Sequence, residues 1–248
     1  MNDDYSYLGS GKFYLREYGS AAPFIEVGNC SALSFNPQVN SVVLADYRNP
    51  GGGTRNRVDR VTECQYSLTL HDFSPENLAR FLRGSVTDVA GGTATEEEVV
   101  AYKGGFTPLD KVPSAITSVK SADGLTTYDA GEDYQFVEGG IFIPSDSGIA
   151  NPVSGAANIK VTYTYPDQAV VQALVTSAKN YEALFVGMNE ARGGSPVRIR
   201  AHKISGGVLD ALQAIGDQHG AGTVTGALQA DPTKGVGLSK FFHCGVVK

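Results

Sequence analysis

At 248 residues, with 42% hydrophobic and only 19% charged residues, the chain is long enough for one large β domain or for a core with a smaller insertion, and its composition excludes a disordered polypeptide. A formal net charge of −6 excludes a global basic field of the kind that grips nucleic acid or an anionic membrane. Thirty glycines and eleven prolines favour many strands and turns over long helices.

The N-terminus, MNDDYSYLGSGK, is acidic where a signal peptide is basic, and no apolar run approaches the roughly 20 residues that span a bilayer. A soluble protein made in the cytoplasm is expected, without membrane insertion. Cys30, Cys64 and Cys244 form no close pair and no zinc-ligand spacing, which suits a reducing compartment.

In chain order, residues 1–10 read as a polar arm and Lys12–Gly19 as a first strand. Ser31–Asn36 alternates, with Leu33 and Phe35 against Ser34 and Asn36, and Val42–Tyr47 resumes a strand after Pro37. Arg48–Arg60, RNPGGGTRNRVDR, has four arginines and almost nothing to bury, so a long mobile loop is expected there. Glu63–His71 places Cys64, Tyr66, Leu68 and Leu70 on one face and Glu63, Gln65, Ser67 and Thr69 on the other, the period of a half-buried strand. A short helix follows at once. Ser74 suits its N-cap, Pro75 its first position and Gly84 its stop, and Leu78, Phe81 and Leu82 make one apolar stripe.

Glu96–Tyr102 reads as a strand, after which Phe106–Tyr165 holds its own strands and glycine turns and closes on alternating Ile159, Val161, Tyr163 and Tyr165. This predicts an inserted antiparallel β domain over 106–166, within a discontinuous core of 1–105 and 167–248. Val170–Thr176 reads as a strand covered on both faces, Tyr181–Asn189 and Pro196–Ile204 as a hairpin, Val208–Ile215 as a short helix or loop, and Thr223–Ala230 as a strand. Lys240–Val247 is expected to tuck Phe241 and Phe242 against the core. Strand far outweighs helix.

No catalytic, metal or cofactor pattern stands out. His71, His202, His219 and His243 lie in no zinc or nucleophile motif, and the run Glu96, Glu97, Glu98 reads as a solvated edge. The expectation is a non-enzyme without cofactor. Arg48, Arg55, Arg57 and Arg60 suit acidic partners on a neighbouring subunit better than nucleic acid, since no aromatic residue interleaves with them.

The passages GNCSALSFNPQV, RNPGGGTRNRVDR, TECQYSLTLHDFSPENLARFLRGSV and GALQADPTKGVGLSKFF resemble the tail tube, or major tail, proteins of long-tailed bacteriophages. TSVKSADGLTTYDAGEDYQFVEGGIFIP with IKVTYTYPD is similar to a module that recurs in phage tail proteins. The resemblance implies a β-sandwich or partly rolled barrel flanked by one helix, assembled into stacked rings, usually of six copies, that form the conduit for DNA ejection. It implies a virion protein assembled in the host cytoplasm. Its partners would be itself, other tail proteins such as the tape measure, terminator and baseplate or tip, and genomic DNA sliding through without specific binding.

On that reading Glu63, Gln65, Ser67 and Thr69, with Ser34 and Asn36, face the lumen, and Arg198 and Arg200 face elsewhere, into salt bridges or the outer surface. The arginine loop crosses a subunit boundary, Leu78, Phe81 and Leu82 buttress the sheet, Arg80 and Arg83 stay free for neighbours, and the insertion decorates the outer surface. The alternatives are a tube-like terminator or baseplate component, the related ring protein of type VI secretion, and a display protein whose Tyr128, Tyr134, Tyr163 and Tyr165 form a carbohydrate platform.

Overall fold

The computed structural model describes residues 5–247. The chain starts with β1 (Gly9–Glu17), β2 (Ile25–Glu26), β3 (Cys30–Ala45), β4 (Thr54–Leu70) and α1 (Pro75–Phe81). It continues through β5 (Ser85–Val89), β6 (Gly92–Val99), β7 (Gly105–Pro108), β8 (Ala115–Ser121), β9 (Thr127–Tyr128), β10 (Gln135–Val137), β11 (Gly140–Ile143), β12 (Ile159–Tyr165) and β13 (Gln168–Gln172). It ends with β14 (Asn180–Asn189), β15 (Ser195–Ser205), β16 (Val208–Leu209), β17 (Gly222–Leu228) and β18 (Phe242–Val246). Among the described residues the fold is mainly β, built of several antiparallel sheets with one α-helix, and no sheet closes into a barrel.

Two compact units divide the chain, one of residues 1–86 with 171–248 and one of 87–170. The second unit therefore begins near residue 87, not at 106 as the sequence suggested. The reason is pairing: β6 lies antiparallel to β12, with Val99 opposite Ile159 and Gly92 opposite Tyr165, so Glu96–Glu98 belong to this unit. Its core comprises Val119, Ile141, Ile143, Ile159, Val161 and Tyr163 with Tyr134. Val170–Thr176, expected to be covered on both faces, is instead the exposed β13 and a turn, with β5 as its pairing partner.

The first unit carries a sheet ordered β2-β1-β14-β15-β17-β4-β3, with β16 added to β17 and β18 to β15. Phe13 and Leu15 from one end of that order, Ala183 and Ala201 from its middle, and Leu68 and Val224 from the other end share one core. A single face can meet itself this way only if the sheet curls over. Phe35 of β3 stacks on Phe242 of β18, ring centroids 5.4 Å apart, and pins the curl. As expected, Cys64, Tyr66, Leu68 and Leu70 are the buried row of β4.

Tyr66 ties the fold together at its polar tip. Its hydroxyl donates to the Ser205 carbonyl at 3.0 Å and accepts from the Gly207 amide at 3.2 Å. Tyr66→Phe strands both backbone groups, so urea unfolding is expected to show a loss of about 1–3 kcal/mol.

α1 starts as its residues predict, with the Ser74 hydroxyl accepting the Asn77 amide and Pro75 in the first turn. Its stop differs. Arg83, at φ 50°, takes the left-handed position, and the Gly84 amide donates to Ala79 in a Schellman closure. Gly84 is needed for another reason: a Cβ there would lie 2.4 Å from the Gln172 carbonyl oxygen. Of the expected stripe, Phe81 is buried in the core and Leu82 packs against it, while Leu78 is half-buried. Residues 208–215 form the short β16 followed by the loop that the flanking glycines allowed, not a helix. The arm expected over residues 1–10 lies outside the described residues for 1–4, and β1 already begins at Gly9.

Candidate functional site

β3 and β4 pair along nearly their whole length, from Cys30 opposite Leu70 to Ala45 opposite Thr54. Only their lower half lies over the core. Beyond Gln38 and Glu63 the two strands continue as a ribbon, with Asn40 opposite Arg60, Val42 opposite Val58 and Val43 opposite Arg57. Val39, Val42, Val43, Leu44, Val58 and Val61 on this ribbon are all between 45% and 63% exposed. Such an aliphatic surface on both faces of two strands is the largest departure here from the usual rule that paired strands keep their apolar side chains on a covered face.

This corrects the long mobile loop expected over Arg48–Arg60. The connection is Asp46–Gly53, and Arg55, Arg57 and Arg60 belong to β4. A ribbon needs no burial to be a strand, because it satisfies its backbone hydrogen bonds across the hairpin. The glycines make the turn: Gly51, Gly52 and Gly53 have φ of 99°, 68° and 128°, and the Asp46 carboxylate accepts the Arg48 amide and the Asn49 side chain. Pro37 does not break β3, because this edge strand tolerates a missing donor.

The four arginines are therefore dispersed rather than gathered. Arg48 sits in the turn, Arg55 and Arg57 lie on one ribbon face and Arg60 on the other. Arg57 is engaged within the ribbon, its Nε 2.8 Å from Asp59 and its NH2 2.9 Å from the Ser41 hydroxyl. That hydrogen bonding holds the Asp59 carboxyl below its ordinary range, the Ser41 hydroxyl contributing most.

The residues expected to share a polar face do share one. Ser34 lies opposite Ser67 and Asn36 opposite Gln65, and β17 extends the patch with Thr223 opposite Thr69 and Thr225 opposite Ser67. Glu63, beside Gln38, is the sole charged residue in that set, and Ser34, Asn36, Glu63 and Gln65 are exposed.

The same side of the sheet turns basic toward β15. Through the β15 bulge, pairing carries the side of Glu63 across β17 to Arg198 and Arg200, so these arginines share the outward side of the sheet with the polar patch, while Arg200 is held in a salt bridge as expected. Arg200 and Arg16 both donate to Glu182, at 2.9 and 2.7 Å. Against the cost of burial, they hold its carboxyl below the usual range.

Of Arg80 and Arg83, the first is engaged: Arg80 donates to the Asn77 side chain at 3.1 Å, whereas the Arg83 Nε is buried without a hydrogen-bond partner. Asn77, which the apolar stripe did not point to, is itself buried and donates to the carbonyls of Val27 and Asp72 at 2.6 and 3.0 Å, pinning α1 to the sheet. The four tyrosines of the carbohydrate reading do not form a platform: Tyr134 and Tyr163 are buried, and Tyr128 and Tyr165 pack against the same core.

Charge is unevenly divided. Residues 87–170 hold twelve Asp and Glu against four Lys and no Arg, a net of −8, which leaves +2 on the rest of the chain. The acidic balance thus belongs to the second unit and not to the ribbon-bearing sheet.

A buried titratable group couples the C-terminal strand to pH. His202 is 7% exposed, and its Nε2 meets the His243 Nδ1 at 3.4 Å. Burial first, then Lys234, His243 and Arg200, depress the His202 pKa, with Asp231 opposing. A depressed histidine pKa means that its contribution is complete above about 6.5 and declines as pH falls through that value toward the lower folded pKa. Asp231, brought to about 2 despite burial by bonds from Thr233 and Tyr18 and by Lys234, keeps its contribution until pH falls below about 4. The protection factors of the β18 amides, corrected for the intrinsic slowing of exchange in acid, are expected to fall first as pH drops below about 6.5, and His202→Gln is expected to remove that phase.

Among the described residues no group of three or more His, Cys, Asp or Glu is placed to hold a metal, and no helix is long and apolar enough to cross a membrane. The exposed ribbon, the polar sheet face and the curled sheet belong to a mainly β protein. Residues 6–244 match the family described as Protein of unknown function UCP028589, and the chain belongs to that family. No curated protein matches it.

Proposed function

We propose that the chain is a structural subunit that polymerises into stacked rings, forming the tail tube of a long-tailed phage through which DNA passes to the host. The observation that carries this reading is the β3–β4 ribbon, whose six exposed aliphatic residues have no partner within their own core. In a ring, ribbons and free strand edges become joints between copies, which removes the edges that are unsafe in a monomer. Rings of six fit the resemblance noted in the sequence. Other tail proteins, including the tape measure, terminator and baseplate or tip, would meet the tube ends, and the protein would reside in the virion tail.

The patch of Ser34, Asn36, Glu63, Gln65, Ser67 and Thr69 is proposed as the lumen wall. Within the patch itself, hydroxyls, amides and one carboxylate offer phosphates no counterion to displace, and Arg200, farther along the same side of the sheet, is already paired with Glu182, so DNA slides.

Sedimentation velocity over a concentration series tests the reading. The expected result is conversion of monomer into large, discrete assemblies as concentration rises, and a single monomeric species at every concentration would refute it. A terminator or baseplate component would stop at one ring.

A further inference from the structure

We infer that the first unit contains a binding site for a phosphate-type oxyanion between β15, β18 and the loop after β17. A cavity of about 360 Å³ is lined there by Arg200, His202, Lys234, Leu238, Ser239 and His243. Every ionisable residue of this lining is a base. Its nearest acids are already committed: Glu182 takes Arg16 and Arg200, and Asp231 takes Tyr18 and both donors of Thr233, with Lys234 at a longer 3.5 Å.

Two lining residues carry buried nitrogens without a hydrogen-bond partner, Arg200 Nε and His202 Nδ1. The His202 side chain is more than nine-tenths buried, so these are not solvent-satisfied groups. An unpartnered guanidinium N–H is costly, and an anion is the ligand that relieves it. Ser239 adds a donor. Its oxygen accepts the amides of Phe241 and Phe242, both at 3.2 Å, which orients the hydroxyl proton away from them.

The lining is prearranged by the fold. Arg200 and His243 are directly paired across β15 and β18, and the Asp231 bonds to Thr233 anchor the loop that brings Lys234. Four separate donor-bearing residues, Arg200, Lys234, Ser239 and His243, suit a tetrahedral anion with up to four oxygens better than a carboxylate with two. The sequence offered no sign of this site, since its residues lie in three segments between positions 200 and 243 and match no phosphate motif.

The test is nitrogen-15 NMR of the histidine side chains in the full chain at pH 7 and constant ionic strength. Inorganic phosphate is expected to shift His202 and His243 saturably and to leave His71 and His219 unmoved. Sodium acetate at equal ionic strength is expected to have no saturable effect. Lys234→Gln is expected to weaken phosphate binding about tenfold, the loss of one charge-assisted contact, while His219→Asn leaves it unchanged. A short single-stranded oligonucleotide identifies the source: shifts of the same two histidines at lower concentration than with phosphate assign the site to a nucleic-acid backbone, and their absence assigns it to the free anion. No saturable shift of His202 and His243 with phosphate, equal shifts with acetate, or indifference to Lys234→Gln overturns the inference.

Discussion

Replacing Val42 by lysine and Val58 by glutamate together is expected to abolish assembly while leaving the subunit folded. The two residues face each other across the ribbon, 58% and 45% exposed, and neither belongs to a core. An opposite-charge pair at such a position supports the hairpin by a few tenths of a kcal/mol to about 1 kcal/mol, so the ribbon itself survives. What is lost is the apolar surface it offers to a neighbour. Burying one valine in an interface is worth about 1.5–3 kcal/mol, and each contact in a ring or stack loses two of them and gains charges to desolvate. Circular dichroism is expected to return a melting curve close to the parent, with no polymer in the ultracentrifuge. Polymer at the parental concentration would show that the ribbon is not the joint.

The second large effect concerns the channel wall. Glu63→Arg with Gln65→Arg changes three charges per copy on a face that carries one acid and no base in the parent patch. If this face lines the lumen, every ring of the variant tube presents a basic band to the duplex. Lysine or arginine contacts to phosphate release counterions, so retained DNA is expected below about 100 mM salt and is released steeply above it. Parent tubes are expected to retain none. Variant tubes that hold no more DNA than the parent at low salt would place the patch outside the channel.

The readable parts of this fold were those where burial leaves a period. Cys64, Tyr66, Leu68 and Leu70 were identifiable because one side of β4 meets the core and the other does not. The same logic failed ten residues earlier, where both ribbon faces are exposed and alternation carries no information. Val42, Val43 and Leu44 were visible as an apolar run, yet a run of that length reads equally as a buried strand. Their exposure depends on how far the hairpin outruns the sheet, which is a tertiary quantity. Glu96–Glu98 fell on the wrong side of the unit boundary for a related reason, since strand assignment to a sheet depends on the distant partner β12. The His202 and His243 contact, 41 residues apart, required the β15–β18 pairing to be known. Net charge gave the sum but not its division, and the −8 of residues 87–170 came from locating the units.

Assembly through the ribbon is the central claim, and electron microscopy of the purified, negatively stained protein at high concentration tests it most directly. The expected images show rings with a central channel stacked into tubes of uniform diameter, absent from the Val42→Lys, Val58→Glu variant. A field of separate single subunits from the parent protein at the same concentration would contradict the account.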